Sequence, residues 1–294
     1  GDVLFCPAAN RRLPWKVACP VVGTIHDFSW LHMSGKYDRL RMIYLTRILP
    51  QLMSRLDYAL SVSECTRRDI LANTRLTEDQ IFVTPNAMDH TIYNEKTRPD
   101  PAVLTRLGIA NKPYILYVSR IEHPGKNHQT LIRAFETLCA RGRFEGSLVL
   151  AGGNFLGAET VHRLTEASPV RDRIIRTGFV RTSDLPSLFT GAVLFVFPSL
   201  YEGFGIPILE AMACGVPVVA SNCSSLPEVG GDAVSYFEPS NADALCERLE
   251  ELLTSEVLRL KRREAGIARA CSFSWDRTAR QTWNVLRMAA KRST

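Results

Sequence analysis

Residues 193–220 read VLFVFPSLYEGFGIPILEAMACGVPVVA, and the rest of the chain is organised around this stretch. It begins as an apolar strand over 193–197 and passes through a Gly-Phe-Gly turn into a predicted helix over 206–213. Pro207 can open that helix, because proline at a first helical position has its φ preset and lacks an N–H that would have no partner there. The stretch therefore predicts a buried strand, a tight turn and a helix, in that order.

Two carboxylates flank this turn: Glu202 precedes it, and Glu210 lies about one helical turn inside the helix. The glycines Gly203 and Gly205 allow the backbone to pass close to a ligand. The new helix end offers unpaired N–H groups and the positive end of a dipole. This arrangement suits a ligand that carries both phosphate and hydroxyl groups, such as a nucleotide sugar. The residues alone also allow a plain strand-turn-helix with two solvated glutamates.

The composition bounds the class of protein. A chain of 294 residues is long enough for two domains, and 46% hydrophobic with 22% charged residues is typical of a globular protein. No run reaches the roughly 18 apolar residues of a membrane span, and the first residues do not resemble a signal peptide. The net charge of +6 fits phosphorylated donors, an anionic membrane surface or an ordinary solvated surface. No motif supports nucleic-acid binding.

The eight cysteines are scattered, and none forms a C-x-x-C pair. We interpret them as reduced thiols of a cytoplasmic protein and predict no zinc site.

Strands and helices alternate from Pro113 onward, which is typical of a parallel, doubly wound sheet. The predicted strands of this part cover 114–118, 148–151, 173–176, 193–197, 216–220 and 234–237. Its predicted helices cover 129–141, 159–167, 183–190, 206–213, 242–253, 255–270 and 276–290. Earlier strands are predicted at 3–5, 21–25, 57–62 and 81–83, and helices at 37–55, interrupted near Pro50, and at 64–71 with Ser63 as N-cap. Two prolines in three positions make 97–101 the predicted linker.

The helix over 37–55 interleaves arginines with apolar residues. This mixture is compatible with a helix that rests on an anionic bilayer. More often it is the pattern of a core-facing helix whose arginines extend their charged ends to solvent.

The segment from Glu202 to Ser221 resembles the glutamate-x7-glutamate signature of retaining, GT-B-fold glycosyltransferases of family four. The resemblance implies two Rossmann-like, doubly wound α/β domains that face each other across a cleft. We expect an acceptor-side domain over 1–96, a nucleotide-sugar-binding domain over 97–275, and a C-terminal helix over 276–294 that crosses back to complete the first domain. Because the family begins with a glycine-rich βαβ unit that is not found here, we expect the first domain to be incomplete.

The resemblance also implies the catalytic roles. Arg120 and Lys126 lie six residues apart between a strand and a helix, where two cations can clamp a diphosphate; a solvated basic loop is the alternative. In the family such a pair neutralises the leaving nucleoside diphosphate, so no metal is expected. His26, which follows its strand, is expected to hold the donor sugar, and Glu202 to contact the hydroxyls of the transferred sugar.

The remaining expected site residues bind the donor. Glu210 is expected to accept hydrogen bonds from the ribose hydroxyls, which is also the logic of dinucleotide-binding folds. Glycines after one strand permit close approach near the phosphates, and the segment after the next strand resembles the nucleobase site, with Leu185 either beside the base or in a simple turn. The other donor-binding residues are Gly152, Gly153, Phe179, Val180, Gly203, Phe204, Gly205 and Ile206.

The sequence therefore predicts a retaining, metal-independent hexosyltransferase without a cofactor. It most resembles mannosyltransferases that use GDP-mannose in polysaccharide or O-antigen assembly, with a saccharide or lipid-linked acceptor and peripheral contact with the inner face of the membrane. A sugar-nucleotide epimerase and a non-catalytic nucleotide-binding remnant are the alternatives. The acceptor, the linkage and the oligomeric state stay open.

Overall fold

The computed structural model describes residues 2–33, 38–109 and 112–291. By its contacts the chain divides into two compact units. The first unit holds the residues up to Ala87, the short segment Tyr201–Phe204 and the residues from Phe273 onward. The second unit holds Met88–Leu200 and Gly205–Ser272.

The strands and helices follow one another in regular alternation. The strands are β1 (Leu4–Cys6), β2 (Val21–Ile25), β3 (Tyr58–Ser61), β4 (Ile81–Val83), β5 (Tyr114–Val118), β6 (Ser147–Ala151), β7 (Ile174–Gly178), β8 (Leu194–Phe197), β9 (Val218–Ser221) and β10 (Ser235–Phe237). The α-helices are α1 (Ser29–His32), α2 (Arg39–Ile43), α3 (Leu49–Met53), α4 (Glu64–Asn73), α5 (Pro101–Arg106), α6 (His128–Ala140), α7 (Ala158–Ala167), α8 (Leu185–Gly191), α9 (Ile206–Ala213), α10 (Leu226–Gly230), α11 (Ala242–Thr254), α12 (Glu256–Ala270) and α13 (Trp275–Ala290).

The first unit is built on a parallel sheet, which in the described residues has four strands in the order β1-β2-β3-β4. Side chains alternate between the two faces of a strand. Ile25 and Ala59 pack into one core with α3 and α4, whereas Val22 and Leu60 pack into another with Val285 of α13. Helix α13 therefore packs against the sheet of the first unit. That a C-terminal helix over 276–294 completes the first domain stays a prediction, and residues 292–294 lie outside the described part.

The helical stretch predicted over 37–55 is irregular. It is described from Arg39 to Met53, and Tyr37 lies outside the described residues. A π-helical turn over Tyr44–Ile48 separates α2 from α3, and Pro50 lies in the first turn of α3. Proline donates no backbone hydrogen bond, so the preceding turn widens instead of continuing as a regular helix.

The second unit is built on a parallel sheet whose described strands follow the order β10-β9-β8-β5-β6-β7. Strand order therefore reverses between β5 and β8, which are neighbours in the sheet and distant in sequence. Helices α6 and α11 pack together on this unit, and α12 packs against α9. The predicted doubly wound, parallel architecture is confirmed in both units.

Several predicted boundaries need correction. The predicted strands at 173–176 and 216–220 begin at Ile174 and Val218, because Arg173 ends a 3-10 turn and Pro217 cannot donate to the sheet. The predicted linker ends in a helix: Asp100 accepts a hydrogen bond from the amide of Ala102 and caps α5, with Pro101 as its first residue.

The contacts begin the second unit at Met88, ahead of the boundary expected at residue 97, and they assign Tyr201–Phe204 to the first unit. The domain limits 1–96 and 97–275 remain a prediction.

Within the described part of the chain, none of the helices combines the length and the apolarity that a bilayer crossing needs.

Candidate active site

The loops that leave β5 and β8 meet at the edge of the second sheet where strand order reverses. In open α/β sheets, ligands bind beyond the carboxyl ends of the strands at such a switch point. The amide of Leu200, after β8, donates a 3.0 Å hydrogen bond to the carbonyl oxygen of Gly125, after β5. The switch point thus joins the loop of Arg120 and Lys126 to the loop that leads toward the glutamate pair.

Asn127 connects the loop after β5 to the segments that follow β8 and β10. Its side-chain amide donates to the carbonyl oxygens of Pro198 and Pro239 at 2.9 and 2.8 Å, and its backbone adopts the left-handed conformation with φ 52°. The hydroxyl of Tyr117 donates to the carbonyl oxygen of Lys126 at 2.8 Å. Hydrogen bonds that are buried or partly buried therefore hold the backbone at Lys126 and Asn127.

The two predicted cations have different surroundings. Arg120 is half exposed, with its guanidinium 3.1 Å from the carboxylate of the buried Glu122 and 4.1 Å from the ring centroid of Phe155. The ammonium nitrogen of Lys126 lies 5.9 Å from the ring centroid of Phe197, the last residue of β8. Glu122 thus holds the arginine at the rim of the loop while leaving about half of its side chain accessible to an anion.

Glu210 projects from α9 and is partly buried. Burial raises the pKa of its carboxyl group to about 7, although a hydrogen bond from the hydroxyl of Tyr93 acts in the opposite direction. Burial and the nearby Glu210 charge likewise raise the pKa of Tyr93 and that of Cys214, the latter to about 12. A partly buried carboxylate with a donor already in place is suited to bind a vicinal diol.

The strand ends beside the cation loop carry the predicted donor-binding residues. The amide of Gly152 donates to the carbonyl oxygen of Gly178 at 3.0 Å, and a Cβ at Gly152 would overlap the carbonyl of Ser119. Phe179 is 79% exposed next to Gly153, whereas Val180 is buried. Leu185 is half buried as the first residue of α8. Gly152, Gly153, Phe179 and Val180 therefore lie at the carboxyl ends of β6 and β7, at the same edge of the sheet as Arg120 after β5.

His26 lies in the first unit, directly after β2. Its Nε2 atom is 2.8 Å from the carbonyl oxygen of Pro7. Because a carbonyl oxygen only accepts, Nε2 carries the proton, and in the neutral ring Nδ1 is left as an acceptor.

Gly203 packs directly onto this histidine. A Cβ on Gly203 would overlap the carbonyl oxygen of His26, and the hydroxyl oxygen of Thr66 lies 3.4 Å from the carbonyl oxygens of both residues. Phe204 packs edge-on against Phe273 with ring centroids 5.8 Å apart. The short segment that contains Glu202 is therefore built into the first unit beside His26.

The structure thus divides the predicted set between the two units. The second unit holds the expected diphosphate-binding and nucleoside-binding residues, namely Arg120, Lys126, Gly152, Gly153, Phe179, Val180, Leu185, Gly205, Ile206 and Glu210. The first unit holds the remaining four, namely His26, Glu202, Gly203 and Phe204. Sequence reasoning missed Glu122, Tyr93 and Thr66. The sequence could have indicated Glu122 as a partner of Arg120, because it lies two residues later in the same loop. Tyr93 and Thr66 reach the site only through tertiary contacts, which no local pattern predicts.

Two further observations concern metals and thiols. Among the described residues, no group of three or more His, Cys, Asp or Glu side chains could hold a metal ion. All eight cysteines, which lie in the described part, are free thiols.

Comparison with known families identifies the chain. The family model of glycosyl transferases group 1 matches residues 99–269, and that of glycosyltransferase family 4 matches residues 3–92. The chain belongs to the glycosyl transferases group 1. The fold and family expected from the glutamate pair are confirmed.

Two relatives from Escherichia coli are mannosyltransferases. The chain is 33% identical over 279 residues to the O-antigen chain mannosyltransferase B of Escherichia coli, covering 95% of this chain and 73% of that protein. It is 30% identical over 280 residues to the serotype-specific mannosyltransferase WbdA of Escherichia coli, covering 93% of this chain and 33% of WbdA. The chain therefore spans about a third of WbdA.

Solved structures share the fold. A crystal structure of Anabaena HepE in complex with UDP and glucose matches 97% of this chain and 77% of its own, with a TM-score of 0.79 and 21% identity. A crystal structure of WaaG, a glycosyltransferase involved in lipopolysaccharide biosynthesis, matches 92% of this chain and 78% of its own, with a TM-score of 0.71 and 18% identity.

Proposed function

We propose that this chain is a retaining mannosyltransferase that moves mannose from GDP-mannose to a saccharide or lipid-linked acceptor in the assembly of an O-antigen-type polysaccharide. The observation that carries the proposal is the joined pair of loops at the switch point, where the Leu200–Gly125 hydrogen bond ties the Arg120 and Lys126 loop to the strand that leads into the glutamate pair. Membership of the glycosyl transferases group 1 supports the transfer of a glycosyl group.

The diphosphate is the proposed ligand of Arg120 and Lys126. Charge develops on the diphosphate as the bond to the sugar breaks, and donors that are already in place stabilise that charge without reorganising. Arg120 is held by Glu122 and Phe155, and the backbone at Lys126 is fixed by Tyr117. Two fixed cations supply the neutralisation, so the proposed reaction needs no divalent metal.

The nucleoside is the proposed ligand of Glu210 and of the segment around Phe179. The carboxylate of Glu210 accepts hydrogen bonds from the ribose hydroxyls while Tyr93 holds it in place. The exposed ring of Phe179 offers a face on which a nucleobase can stack.

The sugar is the proposed ligand of Glu202 and His26, which the first unit holds together through Gly203. The bond from the anomeric carbon to the diphosphate oxygen breaks, and a bond to the acceptor oxygen forms on the same face of the sugar. The acceptor proton passes to the departing diphosphate oxygen. Glu202 acts in this scheme as a hydrogen-bond acceptor for sugar hydroxyls and forms no covalent intermediate.

The choice of mannose rests on the relatives, since mannosyltransferase B and WbdA are both mannosyltransferases. A thermal-shift panel with GDP, UDP and ADP, each free and as its sugar conjugate, tests it because ligands that bind only the folded state raise its stability. We expect GDP-mannose to give the largest shift and to support transfer to an acceptor glycan. Preference for UDP-glucose would contradict the donor, and isomerisation of the sugar without an acceptor would favour an epimerase. Tight GDP binding without turnover would favour a non-catalytic remnant.

Contact with the inner face of the cytoplasmic membrane is also part of the proposal. Helix α2 exposes Leu40 by 81% and Ile43 by 54%, beside the exposed Arg39 and Arg41. Apolar and cationic side chains on one exposed helix suit an anionic bilayer surface. We expect the protein to sediment with vesicles that contain phosphatidylglycerol and not with phosphatidylcholine vesicles. The double variant Arg39→Glu, Arg41→Glu should remain in the supernatant, and equal binding of both vesicle types would contradict this part.

A further inference from the structure

The segment Tyr201–Phe204 is attached to the first unit by more than backbone packing. Tyr201 is buried, and its hydroxyl donates a 2.5 Å hydrogen bond to Asp69 of α4. The same hydroxyl oxygen lies 3.4 Å from the backbone amide of Phe28, which donates to it. One hydroxyl therefore connects the segment with Glu202 to α4 and to the chain just after His26.

His32 closes this cluster. Its Nε2 atom lies 3.3 Å from the same Asp69 oxygen, and its ring stacks on the ring of Tyr201 with centroids 4.2 Å apart and planes 14° from parallel. The ring of Tyr201 is thus held over its face by His32 and at its hydroxyl by Asp69. A tyrosine held at both places has little freedom to change rotamer.

The residue after Tyr201 is Glu202, and the one after that is Gly203, which packs onto the carbonyl of His26. Glu202 therefore lies between two anchors, one through a side-chain hydroxyl and one through close backbone packing. Both anchors lie within the first unit.

From this arrangement we propose that Tyr201 and Asp69 are positioning residues that hold Glu202 in register with His26 for contact with the transferred sugar. The inference rests on the proposed function, because it concerns the same sugar site. Neither residue touches the substrate: each acts through Glu202. Loss of the hydroxyl would leave the buried amide of Phe28 without its acceptor and let the glutamate shift, and misplacement of a site group by about 1 Å can lower a rate by about a hundredfold.

The test is a series of variants of the whole chain: Tyr201→Phe, Asp69→Ala, Asp69→Asn and Glu202→Gln, each assayed for kcat, KM and the Kd of GDP and of GDP-mannose. Tyr114→Phe is the matched control, because Tyr114 is also buried and its hydroxyl donates to the carbonyl of Leu188 at 2.7 Å. We expect Tyr201→Phe and Asp69→Ala to lower kcat by about ten- to a hundredfold, Asp69→Asn to retain part of the activity through its remaining acceptor oxygen, and Tyr114→Phe to retain kcat.

The readouts separate positioning from general damage. We expect the Kd of GDP to stay within about twofold of wild type in every variant, whereas the preference for GDP-mannose over GDP falls in Tyr201→Phe as it does in Glu202→Gln. Adding Tyr201→Phe to Glu202→Gln should change that preference, and any remaining rate, by less than about twofold.

Three outcomes would overturn the inference: wild-type kcat in Tyr201→Phe while Glu202→Gln is slow, a parallel loss of GDP affinity, or an equal loss in Tyr114→Phe. Absence of transfer by the wild-type chain from any nucleotide sugar would instead refute the proposed function itself.

Discussion

The hydroxyl of Tyr93 donates a hydrogen bond to the carboxyl group of Glu210, five residues into α9. Tyr93 is itself buried and packs edge-on against Phe189, with ring centroids 5.9 Å apart. The tyrosine thus provides a fixed donor to a carboxyl group that burial would otherwise leave poorly solvated. This relationship links the stability of the second unit to the protonation of a proposed donor-binding residue.

The first prediction concerns pH. Burial raises the pKa of Glu210 to about 7 from its ordinary value of 4.5, so the protonated form is favoured in the folded state. Its contribution to stability is fully present below pH 4.5 and is lost as pH rises through about 7. Relative to Glu210→Gln, the unfolding free energy of the wild type should fall by on the order of 2 kcal/mol between pH 5 and pH 8. Urea unfolding at a series of pH values measures this difference.

The comparison with Glu210→Gln is needed because buried His128 acts in the opposite direction. Burial lowers the pKa of His128 to about 4, so its contribution grows as pH rises toward 6.5. A difference between the two proteins that stays flat with pH would contradict the raised pKa of Glu210.

The second prediction concerns the diphosphate. Arg120→Ala and Lys126→Ala should each lower kcat by roughly 10²- to 10³-fold, because each removes a fixed charge from the site where negative charge develops. Arg143→Ala is the matched control: Arg143 is about equally exposed and pairs with Glu250 at 2.9 Å, away from the switch point. Steady-state kinetics with circular dichroism as a folding check measures both effects. Equal rates in all three variants would remove the proposed diphosphate site.

The third prediction concerns Gly203. An added methyl group would overlap the backbone oxygen of His26, which cannot move as a flexible side chain would. Gly203→Ala should lower the unfolding free energy by about 3 kcal/mol, at the upper end of the usual cost of overpacking. Gly153→Ala is the stability control, since the nearest atom to its added methyl lies 3.8 Å away. Thermal and urea unfolding distinguish them, and equal stability of the two variants would contradict the close packing of Gly203 on His26.

The fourth prediction concerns divalent ions. If Arg120 and Lys126 supply the charge neutralisation, dialysis against EDTA should leave the transfer rate unchanged within about twofold. The same assay is repeated after adding back magnesium or manganese. Loss of activity on dialysis that manganese restores would mean that a metal ion performs part of this task.

Local signals predicted the elements around the glutamate pair well. Helix α9 spans the residues expected for it, because Gly205 and Pro207 mark its start and both effects are local. A local signal can also point to the wrong element. Pro101, as one of two nearby prolines, predicts a linker, whereas in the structure it is the first residue of α5, which Asp100 caps. The π-helical turn ahead of Pro50 depends on how the chain accommodates a missing donor, and no pattern of apolar residues encodes it.

Long-range relationships were beyond the sequence. Glu202 and Glu210 belong to one motif, yet the packing of Gly203 on His26 assigns the first of them to a different unit from the second. The partners Tyr93 and Asp69 lie far from these glutamates along the chain, so no spacing rule points to them. The carboxylates could be singled out from the sequence, but the groups that hold them could not.

Helix α13 covers one face of the first sheet, where Val285 and Ala289 pack against Val22, Tyr58 and Leu60. Synthesis on the ribosome delivers those strands long before this helix, with the whole second unit made in between. Until it emerges, an apolar surface of the nascent chain stays open to chaperones or to misassembly. The first unit can therefore be completed only by residues that are translated after the second unit. A truncated product that lacks α13 would leave the face of the first sheet formed by Val22, Tyr58 and Leu60 uncovered.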